Sequence, residues 1–99
     1  MSSLNDLPRD NRVIISVLGK DRVGIIAAVA AVLSSANVNI LDISQTIIQE
    51  YFAMTLVADM SNSSVNIESL KEKLSTLGAE LGLRIDAQHA DVFNYMHRL

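Results

Sequence analysis

The residues best suited to chemistry lie in Gly19-Lys20-Asp21-Arg22-Val23-Gly24-Ile25, between the alternating apolar segment Val13-Ile14-Ile15-Ser16-Val17-Leu18 and an apolar helical pattern. A sharp bend at such a junction leaves the first helix amides without intrahelical partners and turns them into a confined space. That arrangement suits a carboxylate or another anion. Lys20 and Arg22 supply positive charge for a carboxylate or phosphate, or serve as solvated surface groups. Gly24 leaves room beside the helix start, either for a ligand or for close packing. Asp21 reads as a helix cap ahead of a ligand contact. Further along, Asn39 offers an amide oxygen and two donors, suited either to both ends of an amino acid or to neighbouring backbone.

Catalytic patterns are absent. The spacing from Gly19 to Gly24 superficially matches a phosphate loop, but Ile25-Ile26 replaces the Lys-Ser/Thr pair that would hold phosphate and magnesium. No Gly-x-Gly-x-x-Gly or His-Glu-x-x-His arrangement occurs. Ser44 and Thr46 have no identifiable base and read as ordinary sheet hydroxyls, while Asp42 is a secondary candidate for binding an amine. His89, Asp91 and His97 are explained more simply as surface groups than as a metal site. Tyr51 and Phe52 are adjacent on a strand, so they point to opposite faces and make no stacking platform for RNA. The reading is of no catalytic residues, no metal and no cofactor.

Composition narrows the class further. With 99 residues the chain suits one compact domain in which a partner subunit matters. A net charge of -3 and an apolar fraction of 49% argue against both disorder and a polycationic nucleic-acid binder. The absence of cysteine excludes disulfides and thiolate chemistry. The longest apolar run, Ile25 to Leu33, is about half of the ~20 residues a membrane helix needs. Met1 to Asn11 is polar and lacks a secretory pattern. A soluble cytoplasmic protein is therefore expected, with no direct nucleic-acid or membrane partner.

Hydrophobic periodicity supplies the elements that must position these residues. Residues 1–11 form a lead-in, with Pro8 discouraging regular structure, and residues 12–99 form the domain. A strand is predicted over Arg12 to Leu18, then a helix from Val23 to Ala36 with Ile26, Val29 and Leu33 as its stripe, widened by Ile25 and Val32. Asn37 is the stop signal, because asparagine tolerates a left-handed backbone. Strands follow over Val38 to Ile48 and Tyr51 to Asp59, turned by Gln49-Glu50. The spacing of Ile67, Leu70, Leu74, Leu77 and Leu81 predicts a second helix over Asn66 to Leu81, and Gly82 launches a last strand, Leu83 to His89. Val92, Tyr95 or Met96, and Leu99 fit a short C-terminal helix. On the second strand, Leu41, Ile43 and Ile47 share the parity expected to face the helices, and Asp42, Ser44 and Thr46 the opposite one.

The order strand-helix-strand-strand-helix-strand predicts an α+β, ferredoxin-like βαββαβ sandwich, with two helices on one face of a four-stranded antiparallel sheet. At this point the sequence resembles the ACT domain, an amino-acid-binding regulatory module. Gly19-Lys20-Asp21-Arg22-Val23-Gly24-Ile25 resembles that family's first strand-to-helix loop, and Asn37-Val38-Asn39-Ile40 the start of its second strand. Asp42-Ile43-Ser44-Gln45-Thr46 and Tyr51-Phe52-Ala53-Met54 resemble the small stand-alone members of the glycine-cleavage repressor type, which are UPF0237-like. Family members commonly carry Pro where Val23 stands and often Gly where Asn37 stands. Asn37 preserves the turn chemistry, whereas Val23 forgoes the preset first-turn angle.

The resemblance implies a ligand site at a subunit contact, lined by Asp21, Arg22, Val23, Gly24 and Ile25 together with Asn39 and Ile40. It implies a non-enzymatic regulatory domain that binds an amino acid or similar small metabolite, as a homodimer or higher homo-oligomer, with a regulated protein as a further partner. The alternative is a ligand-independent adaptor that recruits another protein through its exposed sheet or terminal helix.

Overall fold

The computed structural model describes residues 11–90. The expected C-terminal helix falls on residues outside that range, as do the lead-in up to residue 10, Asp91 and His97. Six elements run in the expected order: β1 (Arg12–Lys20), α1 (Ile25–Ser35), β2 (Asn39–Ile48), β3 (Tyr51–Asp59), α2 (Ile67–Leu81) and β4 (Leu83–His89). The sheet order is β2-β3-β1-β4 with every neighbouring pair antiparallel. Each strand-helix-strand crossover skips one position, and the other half of the chain fills it. This is the ferredoxin-like interleaving.

Alternation divides the sheet residues between two faces. Val13, Ile15 and Val17 of β1 pair with Ala58, Leu56 and Met54 of β3, and all six are buried beneath the helices. Leu33 and Val29 of α1 and Leu70 and Leu74 of α2 close the layer from above. Each such side chain contributes about 1.5–3 kcal/mol by leaving water. No polar or charged residue is buried among the described residues, so every polar group with a chemical role sits at the surface or in a cleft. The opposite sheet face carries the register row Ser44–Thr55–Ser16, as the parity of β2 predicts.

Helix α1 begins later than its periodicity suggests. Gly24 is its N-cap residue with φ 93°, a left-handed conformation that cannot belong to the helix. The helix therefore starts at Ile25, and the buried stripe is Ile25, Val29 and Leu33, while Ile26 is 40% exposed. No side chain caps this end, which corrects the expectation for Asp21. A Cβ on Gly24 would meet nothing within 4 Å, so backbone conformation rather than close packing requires glycine. At the other end Asn37 adopts φ 59°, with Val38 N–H donating to Leu33 O (2.9 Å) and Asn37 N–H to Ser34 O (3.0 Å). This pair of bonds is the Schellman closure expected of a left-handed residue after a helix.

Helix α2 is capped as a long amphipathic helix should be. The Asn66 side chain accepts from Ser69 N–H at 2.8 Å, and Gly82 closes the C-terminus with φ 71°. In β2 the alternation breaks. Ile40 pairs with Ala58 and Asp42 with Val57, leaving Leu41 as an unpaired bulge residue. Ile40, not Leu41, thus joins Ile43 and Ile47 on the helix side.

Candidate functional site

The loop before α1 and the start of β2 form two separate clefts. In the first, Asp21, Arg22, Gly24 and Ile25 line a space of about 510 Å³ with Gln45 and Ile47 from the far end of β2. The loop is fixed there because Asp21 N–H donates to Glu50 O at 2.8 Å, tying it to the β2–β3 turn. The first intrahelical bond of α1 runs from Ala28 N–H to Gly24 O (2.9 Å), so the amides of Ile25, Ile26 and Ala27 precede the helical ladder. The positive end of the helix dipole favours an anion at this position. Arg22 lines the same cleft and makes a long 3.5 Å contact from Nη1 to Leu81 O at the end of α2. Val23 lines neither cleft and is 99% exposed.

The second cleft, also about 510 Å³, lies at the C-terminal end of α1 and contains Asn39 and Ile40 with Ser34, Asn37, Asp59 and Asn62. Its shape follows from two loop attachments. Asn37 Nδ2 donates to Asn62 O at 2.8 Å, and Ser64 N–H donates to Ala36 O at 2.9 Å, which holds the loop after β3 against the end of α1. Asp59 lies across from Asn39 in the antiparallel register of β2 and β3. Sequence reading missed Asp59, because a contact between strands depends on register rather than on local pattern.

Of the residues expected to form one site, the structure brings together Asp21, Arg22, Gly24 and Ile25, and separately Asn39 and Ile40. The two groups sit at opposite ends of the same strand. From Ile40 to Ile47 the chain rises by roughly 23 Å at about 3.3 Å per residue, far more than an amino acid spans. The secondary candidate Asp42 faces the open side of the sheet, and its Oδ1 accepts from the N–H of Ile43 at 2.9 Å. No cluster of His, Asp or Glu able to hold a metal occurs among the described residues, and none of their helices is long and apolar enough to cross a membrane.

Comparison with known proteins matches this geometry to one family. A model of the ACT domain matches residues 11–88. A UPF0237 protein of Methanocaldococcus jannaschii is 49% identical over 89 residues, covering 90% of this chain and 99% of the relative. Among solved structures, an ACT domain protein from Streptococcus pneumoniae superposes with a TM-score of 0.73 at 36% identity, over 83% of this chain and 92% of that one. A protein provisionally assigned as a glycine cleavage system transcriptional repressor superposes with a TM-score of 0.69 at 25% identity, over 78% of this chain and 44% of that one.

Proposed function

The chain belongs to the ACT domain family, and from that premise we propose that it is a non-enzymatic regulatory domain that binds an amino acid or similar small metabolite at a contact between subunits. One observation carries the reading. β2 is an edge strand that begins at one cleft and ends at the other, and residues 41–50 are all exposed. Antiparallel pairing of β2 with the same strand of a second copy lays the Asn39 end of one subunit beside the Ile47 end of the other. The cleft holding Asn39 and Ile40 then adjoins the neighbour's Asp21–Gly24 loop, and two-fold symmetry creates two equivalent sites.

The chemistry of the two halves is complementary to an amino acid. The loop half offers the first amides of α1 and the Arg22 charge to a carboxylate. The strand half offers amide groups of Asn39 and Asn37. A ligand touching both subunits binds the assembly and not the separate chains, so it strengthens association by linkage, and association strengthens ligand binding by the same factor. That coupling is what a regulatory module needs.

Calorimetric titration with each of the twenty amino acids tests this. Saturable binding by at least one is expected, together with its loss in Gly24→Asp, whose carboxylate repels the ligand's own. A folded sample that binds none of them overturns the reading. Unchanged affinity in Gly24→Asp removes the site from this loop.

A further inference from the structure

Resting on the reading above, we infer that the ligand is an amino acid with an apolar side chain, and that the loop cleft selects it through Ile26 and Ile47. In an amino acid the side chain leaves the carbon that carries the carboxylate, so its first atom lies two bonds, about 2.5 Å, from the carboxyl carbon. A carboxylate held by the first amides of α1 therefore sets the side chain down in the same cleft, against the residues that line it.

Those residues are mostly apolar, and they face the cleft. Ile47 pairs with Phe52 and Gln45 with Met54 across β2 and β3. Phe52 and Met54 are buried beneath the helices, so alternation puts Ile47 and Gln45 on the helix side of the sheet. The cleft lies on that side, because α1 supplies its other wall through Ile25, Ile26 and Ala27. Ile26 and Ile47 are both exposed, and an apolar ligand group between them takes its own surface and theirs out of water. α1 carries no ionisable residue, so its wall offers a charged side chain no partner. Asp21 and Arg22, the charges of this cleft, are opposite in sign and exposed to water, which screens them, and Arg22 reaches toward Leu81 O at the end of α2. Gln45 alone offers a neutral polar side chain, and a polar ligand group would leave water for that single amide. The strand half instead contributes Asn37, Asn39 and Asn62, so the ligand's amine and its side chain have separate destinations.

The test is a graded calorimetric series on wild type with glycine, alanine, valine and leucine, set against asparagine, aspartate and lysine. Each methylene taken out of water is worth about four-fold in affinity, so leucine is expected to bind roughly 10- to 60-fold more tightly than alanine. Asparagine, close to leucine in shape, is expected to bind no better than alanine. Ile26→Ala shortens one wall at an exposed helical position, so its thermal midpoint should stay near that of wild type. It is expected to weaken leucine binding about 3- to 10-fold and to leave glycine within about two-fold. The wild-type series checks the inference even if this variant folds poorly. Equal affinities for alanine, leucine and asparagine, or tighter binding of a polar or charged amino acid than of leucine, would overturn the selection of an apolar side chain while the amino-acid site stands. Leucine binding unchanged in Ile26→Ala would remove the side chain from this cleft. If no amino acid binds wild type, the site itself is overturned and this inference with it.

Discussion

The backbone N–H of Asp21 donates to the carbonyl oxygen of Glu50 at 2.8 Å, so the loop that starts α1 and the turn that joins β2 to β3 form one unit. Within that turn Gln49 holds φ 57°, a left-handed conformation that costs a non-glycine residue about 1–2 kcal/mol. Gln49→Gly removes this strain but adds roughly 0.5–1 kcal/mol of unfolded-state entropy. The balance predicts a stabilisation of about 0.5–1 kcal/mol, read as a higher urea midpoint at unchanged slope. A lower midpoint would mean that the Gln49 side chain makes a contribution larger than the backbone strain.

The two helix starts respond differently to loss of a polar side chain. Asn66→Ala removes the cap that accepts from Ser69 N–H and is expected to cost about 1 kcal/mol. Asp21→Ala removes an exposed side chain that caps nothing, so its effect is expected within about 0.5 kcal/mol. Chemical denaturation of both variants decides. A cost for Asp21→Ala equal to that of Asn66→Ala would restore the capping role that the sequence suggested.

Gly78 lies inside α2, where alanine would ordinarily gain about 0.8–1 kcal/mol of helix propensity. Here a Cβ would stand 2.6 Å from Leu83 O, a backbone atom that cannot rotate away. Overpacking of this kind costs about 1–3 kcal/mol. The clash outweighs the propensity, and Gly78→Ala is expected to lower stability by about 1–2 kcal/mol with weakened docking of α2 on β4. Thermal unfolding that shows stabilisation would contradict the close approach.

Most of the fold is legible because periodicity and punctuation agree. Ile67, Leu70 and Leu74 mark α2, Asn37 and Gly82 end the helices, and alternating residues define β1 and β3. The start of α1 is less legible: Ile25 and Ile26 are adjacent and equally apolar, and only the φ of Gly24 decides which of them enters the core. The site is harder still. Counting back from the Gln49-Glu50 turn would place Met60 opposite Asn39, and the unpaired Leu41 moves Asp59 there instead. Nothing in Ile40-Leu41-Asp42 announces a bulge. The loop motif and Asn39 are visible as separate signals, but their separation by the length of β2 is a property of the folded chain.

That separation makes association a precondition of the proposed site, and the edge of β2 is where to interrupt it. Ile43 and Ile47 are 42% and 51% exposed on the helix side of a strand whose outer edge is unpaired, and β2 contains no lysine or proline to block an incoming strand. Ile47→Lys places a charge in the proposed contact while leaving the core residues Phe52, Met54 and Leu56 of β3 intact. Size-exclusion chromatography with light scattering is expected to give a dimer or larger species for wild type at micromolar concentration and a monomer for Ile47→Lys. Far-UV circular dichroism should coincide for the two. Amino-acid binding should fall with the dimer, because neither subunit alone holds both halves of the site. A wild-type protein that stays monomeric and yet binds an amino acid would confine the ligand to one cleft and separate binding from assembly.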